Sequence, residues 1–141
     1  MDETDIYNKI RNNWAGLDII RIESSASNGI PDLNFCHEGF DVWMELKILH
    51  GDRIYLERFQ SQFHVRRNRA GGKSIIFAAD PKRIKVLRLS DPLALSKAID
   101  KGKFRVYDTS DPTLLELVIQ WDRPFVWKTM FSQFMEKIRC L

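Results

Sequence analysis

Residues 29–47, GIPDLNFCHEGFDVWMELK, carry three charged groups, Asp32, Glu45 and Lys47, inside what otherwise has the pattern of two strands joined by a turn. Side chains alternate along a strand, so Val42, Met44, Leu46 and Ile48 share one face while Trp43, Glu45 and Lys47 share the other. Asp32 sits at the start of the preceding strand. Antiparallel neighbours lie about 5 Å apart, which brings it close to the end of the next strand, where Glu45 and Lys47 are. Two carboxylates that close repel and raise one another's pKa unless a cation lies between them. Magnesium suits such a place, because it takes hard oxygen ligands, keeps several waters and uses one or two carboxylates plus phosphate oxygens. A lysine two residues from one carboxylate can orient or help deprotonate an attacking water, or offset charge on a pentacovalent phosphate. That is a constellation for phosphodiester hydrolysis. The competing reading is a cross-strand ion network on a solvent face with Asp32 capping a turn, and the short pattern taken alone favours it.

The elements that must position these groups follow from periodicity and turn chemistry. Ile6, Tyr7, Ile10 and Trp14 fall at helical spacing within residues 3–15, with acidic residues at the favourable N-terminal end. DIIRIE, 18–23, is an expected strand, SSASNG, 24–29, a turn, and PDLNFC a second strand opened by a proline. Glu38-Gly39 marks a hairpin turn before the strand over 41–48. A helix is expected from Leu56, with Phe59 and Phe63 as its core stripe and Gly71-Gly72 as its stop. SIIFAA, 74–79, is an apolar run of the kind found in a central, doubly buried strand, and RIKVLRL, 83–89, adds a strand beside it. A helix between two strands implies parallel pairing of those strands.

Two features strengthen the chemical reading. Gln60, His64 and Arg67 fall at i, i+4 and i+7, one face of the helix that follows the charged strand. Arg53, Arg58, Arg66, Arg67, Arg69 and Lys73 crowd residues 52–73 against only Asp52 and Glu57, a density suited to gripping phosphate.

GIPDL, then MELK, then QSQFHVRRNRAGG leading into SIIFAA together resemble the virus-type replication-repair nuclease (VRR-NUC) family of the PD-(D/E)XK nuclease superfamily, over roughly residues 3–89. The resemblance implies a restriction-endonuclease-like α/β core of order α-β-β-β-α-β, a mixed sheet flanked by helices, over residues 1–90, with residues 91–141 as a C-terminal helical elaboration packed on the same domain. It implies that Asp32 and Glu45 ligate metal with the backbone carbonyl of Leu46, that Lys47 is the catalytic lysine, and that Gln60 orients the site. An acidic residue of the first helix joins them in that family; Glu3 is the choice here, with Asp2 and Asp5 as alternatives. The implied cofactor is Mg2+, with Mn2+ also supporting activity. On the density of basic residues noted above, Arg53, Arg58, Arg66, Arg67, Arg69 and Lys73 would bind DNA, and His64 is a further DNA-binding candidate, with an inert helix histidine as the competing reading. Small stand-alone members, largely from phages and bacteria, act on branched DNA, including four-way junctions, as homodimers. A Holliday junction resolvase is thus the implied activity; a flap- or nick-type repair nuclease and a non-catalytic DNA-binding module are the alternatives.

After residue 90 the reading rests on pattern alone. Asp91-Pro92 and Asp111-Pro112 look like helix starts, giving helices over 92–101 and 112–121 with FRVY, 104–107, as an edge strand between them. A last helix from about Pro124 carries Phe125, Met130, Phe131, Phe134 and Ile138. Trp121, Phe125, Trp127 and Phe131 are candidate dimer contacts, since symmetric cutting of a junction needs two sites related by a two-fold axis. The four tryptophans are spread out and suggest no stacking platform. Lys101 and Lys103 have the look of a solvated helix end, and His37 and His50 of solvated turn residues.

The whole chain, 141 residues and 44% hydrophobic, is long enough for one core and too short for two ordinary domains. A net charge of +3 permits an anionic partner without demanding one. Cys36 and Cys140 form no CxxC pattern and are expected to be small buried hydrophobes. The acidic N-terminus lacks an apolar signal core and no apolar run reaches membrane-span length, so a cytoplasmic location is expected, that of the host if the chain is phage-encoded.

Overall fold

The structure is a computed structural model that describes residues 1–22 and 29–141. The chain runs α1 (Glu3–Asn13), β1 (Asp18–Arg21), β2 (Leu33–His37), β3 (Phe40–Ile48), β4 (Arg53–Glu57), α2 (Arg58–Arg69), β5 (Lys73–Ala79), β6 (Arg83–Arg88), α3 (Pro92–Lys97), β7 (Ile99–Lys101), β8 (Phe104–Asp108), β9 (Glu116–Asp122) and α4 (Trp127–Arg139). Six strands form one mixed sheet in the order β1-β2-β3-β5-β6-β9, and β4-β8-β7 form a second, smaller one. Among the described residues the one parallel pairing in the large sheet, β3 with β5, places Glu45 opposite Ile76 and Lys47 opposite Ala78. It is the pairing that an intervening helix imposes.

Alternation sorts the strands' side chains onto two faces of the large sheet. Val42, Met44 and Leu46 join Ile75, Phe77, Ile84 and Val86 in a core closed by Ile6, Ile10 and Trp14 of α1 and Met130, Phe134 and Ile138 of α4. The other face places Ile76, Ala78 and Leu87 against Ile54 and Leu56 of β4, Val65 of α2, Ala94 of α3 and Tyr107 of β8. Trp14 is the hub of the first core: its ring meets Phe77, Trp127, Phe131 and Phe134, and its indole N–H donates to the Trp127 carbonyl at 2.9 Å. The smaller sheet is fastened to the larger by polar groups. Buried Lys85 of β6 donates to Thr109 Oγ1 at 3.0 Å and lies 3.5 Å from Asp52 Oδ1. The Tyr107 hydroxyl donates to Ser61 Oγ of α2 at 2.9 Å.

The hairpin between β2 and β3 turns at Glu38 (φ 50°) and Gly39 (φ 83°), the pair of positive φ angles that a two-residue type I′ turn requires. Gly29, also at positive φ (79°), answers a tighter constraint: a Cβ there would lie 2.1 Å from the Phe59 carbonyl carbon and 2.5 Å from the Gln60 nitrogen. The chain entering Asp32 therefore packs directly on the first turn of α2. The rest of the expected 24–29 turn, and Glu23 at the end of the first expected strand, lie outside the described residues.

The structure corrects several expectations. Residues 53–57 form a strand, so α2 begins at Arg58 instead of Leu56; Ile54 and Leu56 alternate with Arg53, Tyr55 and Glu57, a period of two that the longer helical pattern overlies. Phe59 is 58% exposed, and it is Ser61, Phe63, His64, Val65 and Asn68 that α2 buries. The helix at 92 stops at Lys97, because Ile99–Lys101 pairs with β8, and FRVY is the central strand of the small sheet instead of an edge. Residues 112–121 are not helical. Asp111 accepts from the Thr113 N–H and hydroxyl, so the cap signal is real, but one turn later the chain extends into β9, which pairs with β6. The segment after residue 90 is thus woven into both sheets and ends in α4, which starts at Trp127. Cys36 and Cys140 are both exposed, not buried. His37 closes β2, its Nδ1 3.0 Å from the Gly16 carbonyl oxygen, instead of lying free in a turn.

Candidate active site

Asp32 lies immediately before β2, its backbone carbonyl taken by the Ile22 N–H at 2.8 Å. Its Oδ2 accepts from the Leu46 N–H at 2.8 Å. The β2–β3 ladder begins at Leu33 with Met44, so the backbone of Leu46 lies beyond the paired part of β2 and turns its N–H to Asp32 instead of a strand. N–H and C=O of one strand residue point the same way, and the Leu46 carbonyl therefore faces the Asp32 side as well.

Glu45 stands on the opposite face from Met44 and Leu46, toward α2, and is only 2% exposed. Its Oε1 accepts from Gln60 Nε2 at 2.9 Å and lies 3.9 Å from Lys47 Nζ. Its Oε2 is buried without a hydrogen-bond partner. Burial first, and the neighbouring Asp32 second, hold the Glu45 pKa well above the usual carboxylate range, with Lys47 pulling the other way. Gln60 is oriented from its second end: the Glu57 N–H donates to Gln60 Oε1 at 2.8 Å, which turns the amide's NH2 toward Glu45. Glu3 opens α1. Although the residue is exposed, partial loss of water and then Asp32 raise its carboxyl's pKa. Asp2 and Asp5 are engaged with each other's backbone N–H groups in a capping box, at 2.8 Å each way, which leaves Glu3 as the acidic side chain of this turn that senses Asp32 and Lys47.

Among the described residues, no group of three His, Cys, Asp or Glu side chains is placed to hold a metal ion by itself. The available donor set is the Asp32 carboxylate and the buried Glu45 carboxylate, whose Oε2 is unpartnered, with the Leu46 carbonyl on the Asp32 side. Such a set fits a hard cation that retains several waters better than a tetrahedral zinc.

The other predicted residues scatter. His64 is fully buried, its Nδ1 2.7 Å from Ser74 Oγ and its Nε2 without a partner, and burial lowers its pKa to about 3. A neutral, enclosed imidazole makes no contact with a phosphate, so its expected role in DNA binding is not supported. Lys73 pairs in register with Val42, at the far end of β3 from Lys47, and its ammonium donates to the Leu141 carbonyl at 2.7 Å and lies over the Phe40 ring. It too belongs to the scaffold. Arg58 is paired with Asp100 at 2.7 Å. Arg66 and Arg67 sit over the Phe63 ring and, with Ile30 and Phe59, line a groove of about 520 Å³ along α2. Arg53 and Arg69 are exposed.

On the other side, a cleft of about 540 Å³ runs from Glu3 and Lys47 to His50, Tyr55 and Phe104. Nothing in residue spacing singled out these three rings. The available signal was the alternation in RIYLE, which places Tyr55 on the open face of β4.

No protein-family model matches the chain, and no curated protein matches it. Among solved structures, the chain is similar to that of Hjc, a Holliday junction resolvase from the archaeal hyperthermophile Archaeoglobus fulgidus, at 18% identity and a TM-score of 0.52 over 82% of this chain and 91% of that one. The mixed α/β fold with helices flanking the sheet and a C-terminal helix is that resolvase's nuclease fold.

Proposed function

We propose that this chain is a divalent-metal-dependent endonuclease acting on branched DNA, with four-way junctions as the first substrate to test and VRR-NUC nucleases as its family. The observation that carries the reading is Glu45: a carboxylate buried against Asp32, fixed at one oxygen by Gln60, unpartnered at the other, with Lys47 beside it. A buried acid of that kind costs the fold stability, and such groups cluster at functional sites.

Asp32, Glu45 and the Leu46 carbonyl would hold Mg2+ or Mn2+, with Glu3 reaching the site through water. The ion when bound would polarise the scissile phosphate and lower the pKa of its water. Lys47 would orient the attacking water and offset charge on the phosphate, while Gln60 would hold the Glu45 carboxylate through its hydrogen bond to Oε1. Arg66 and Arg67 would hold backbone phosphates along α2. The likeness to a junction resolvase supports the choice of substrate, and a homodimer would supply the paired sites that symmetric cutting needs.

The test is incubation with labelled four-way junction, flap and plain duplex, with magnesium or with chelator. Metal-dependent cutting of the junction is expected, and Lys47→Ala should lower the rate by roughly 100-fold or more while leaving DNA binding intact. Absence of cutting on every substrate refutes the nuclease reading. Cutting of flap or nicked duplex alone would move the assignment to a repair nuclease.

A further inference from the structure

The cleft beside Lys47 has two unlike walls. One is acidic, formed by Asp2 and Glu3 at the start of α1. The other is aromatic: Tyr55 and Phe104 lie on the open face of the small sheet with ring centroids 6.5 Å apart, and His50 meets Tyr55 edge-on at 5.4 Å. Tyr55 and Phe104 are diagonal neighbours across the β4–β8 ladder, and their rings meet edge to face at 84°. At the rim, Lys101 pairs in register with Phe104, and Lys103, 72% exposed, carries its ammonium 5.0 Å from the Phe104 ring centroid.

Continuity decides what enters. Glu3 and Lys47 belong both to the metal-binding constellation and to this cleft, so a strand whose phosphate lies at Lys47 continues into it. Phosphate is repelled by the acidic wall, whereas a neutral base meets the face of one ring and the edge of the other, with the rim lysines outside to receive the flanking phosphates. Bases inside a duplex already stack on their neighbours. Only an unpaired nucleotide has a face to offer.

We propose that the Tyr55–Phe104 pair holds an unpaired nucleobase of the strand being cut, one ring stacking on its face and the other meeting its edge, so that the substrate class is DNA with an unpaired nucleotide next to the scissile phosphate. This rests on the nuclease reading for the identity of the strand, but its test does not depend on cleavage. Binding by fluorescence anisotropy is measured in chelator for a short labelled single-stranded oligonucleotide and for one of the same length made of abasic deoxyribose. The wild-type chain is expected to prefer the base-bearing strand by about ten-fold or more. Tyr55→Leu with Phe104→Leu should abolish that preference while leaving affinity for the abasic strand unchanged, and Tyr55→Phe should retain it. Equal affinity of the wild-type chain for both strands, or no binding of either, overturns the proposal whether or not the double variant folds. Preference that persists in the folded double variant overturns it too. A wild-type chain that shows no base preference but cuts in a metal-dependent way refutes the stacking alone, and one that shows base preference without cutting refutes the nuclease reading alone.

Discussion

At Glu45 and His64 the chain buries two titratable groups whose effects on stability run in opposite directions with pH. Burial and Asp32 raise the Glu45 pKa, so the folded chain keeps a proton that the unfolded chain releases. Stability therefore falls as pH rises from the ordinary carboxylate range through the folded value. His64 is the reverse: its pKa falls from 6.5 to about 3, so the stability it permits is complete above pH 6.5 and is lost as pH falls toward 3, at about 1.4 kcal/mol per pH unit. Glu45→Gln in chelator is expected to melt at a higher temperature than wild type at pH 7, and to unmask the steeper acid-side loss due to His64; His64→Gln should flatten that side. Thermal melts from pH 3 to 8 check both, and a lower melting temperature for Glu45→Gln at pH 7 would show that the carboxylate is not under strain. The sequence made the pairing of Glu45 with Lys47 legible because strand alternation fixes faces, and the approach of Asp32 legible because the β2–β3 hairpin sets its register. It misplaced His64, since helical periodicity tells which residues share a face but not what covers that face.

Among the elements, the entry loop and α2 are locked together at Gly29. Gly29→Ala forces a Cβ against the Phe59 and Gln60 backbone at a positive φ, so either the loop carrying Asp32 or the first turn of α2 must shift. The expected result is a stability loss of about 2–4 kcal/mol by denaturant titration together with a greater loss of magnesium affinity than of DNA affinity. Wild-type metal affinity in this variant would show that the loop and helix adjust independently. The large-sheet strands β2, β3, β5 and β6 were readable from their apolar alternation or runs. β4 was hidden by overlap with the helical pattern of 56–69, and β9 by an Asp-Pro cap that closes only one turn. In both cases partnership decided: Arg53–Glu57 pairs with β8 and Glu116–Asp122 with β6, and such long-range pairings leave no mark in a local window.

For the molecule as a whole, the residues after 90 are structural members of both sheets, so the nuclease-like core does not end where the recognisable motifs end. The aromatic residues proposed for a dimer are largely taken up inside the chain: Trp127 and Phe131 pack on Trp14, Trp121 on Phe77. What remains exposed nearby is Leu117 at 50% and Val126 at 59%. Light scattering at micromolar concentration is expected to give a dimer, and Leu117→Asp with Val126→Asp a folded monomer; a wild-type monomer would weigh against symmetric junction cutting. No helix among the described residues is long and apolar enough to cross a membrane. One connection bears on how such a protein can change over generations. β4 passes into α2 between Glu57 and Arg58 with no intervening loop, and the Glu57 N–H holds Gln60, which in turn holds Glu45. The junction thus ties the small sheet directly to the amide that holds the carboxylate. Under the proposed nuclease function, substitutions at this junction that alter what the sheet binds would also disturb the hold on Glu45, so selectivity and speed would evolve as one trait.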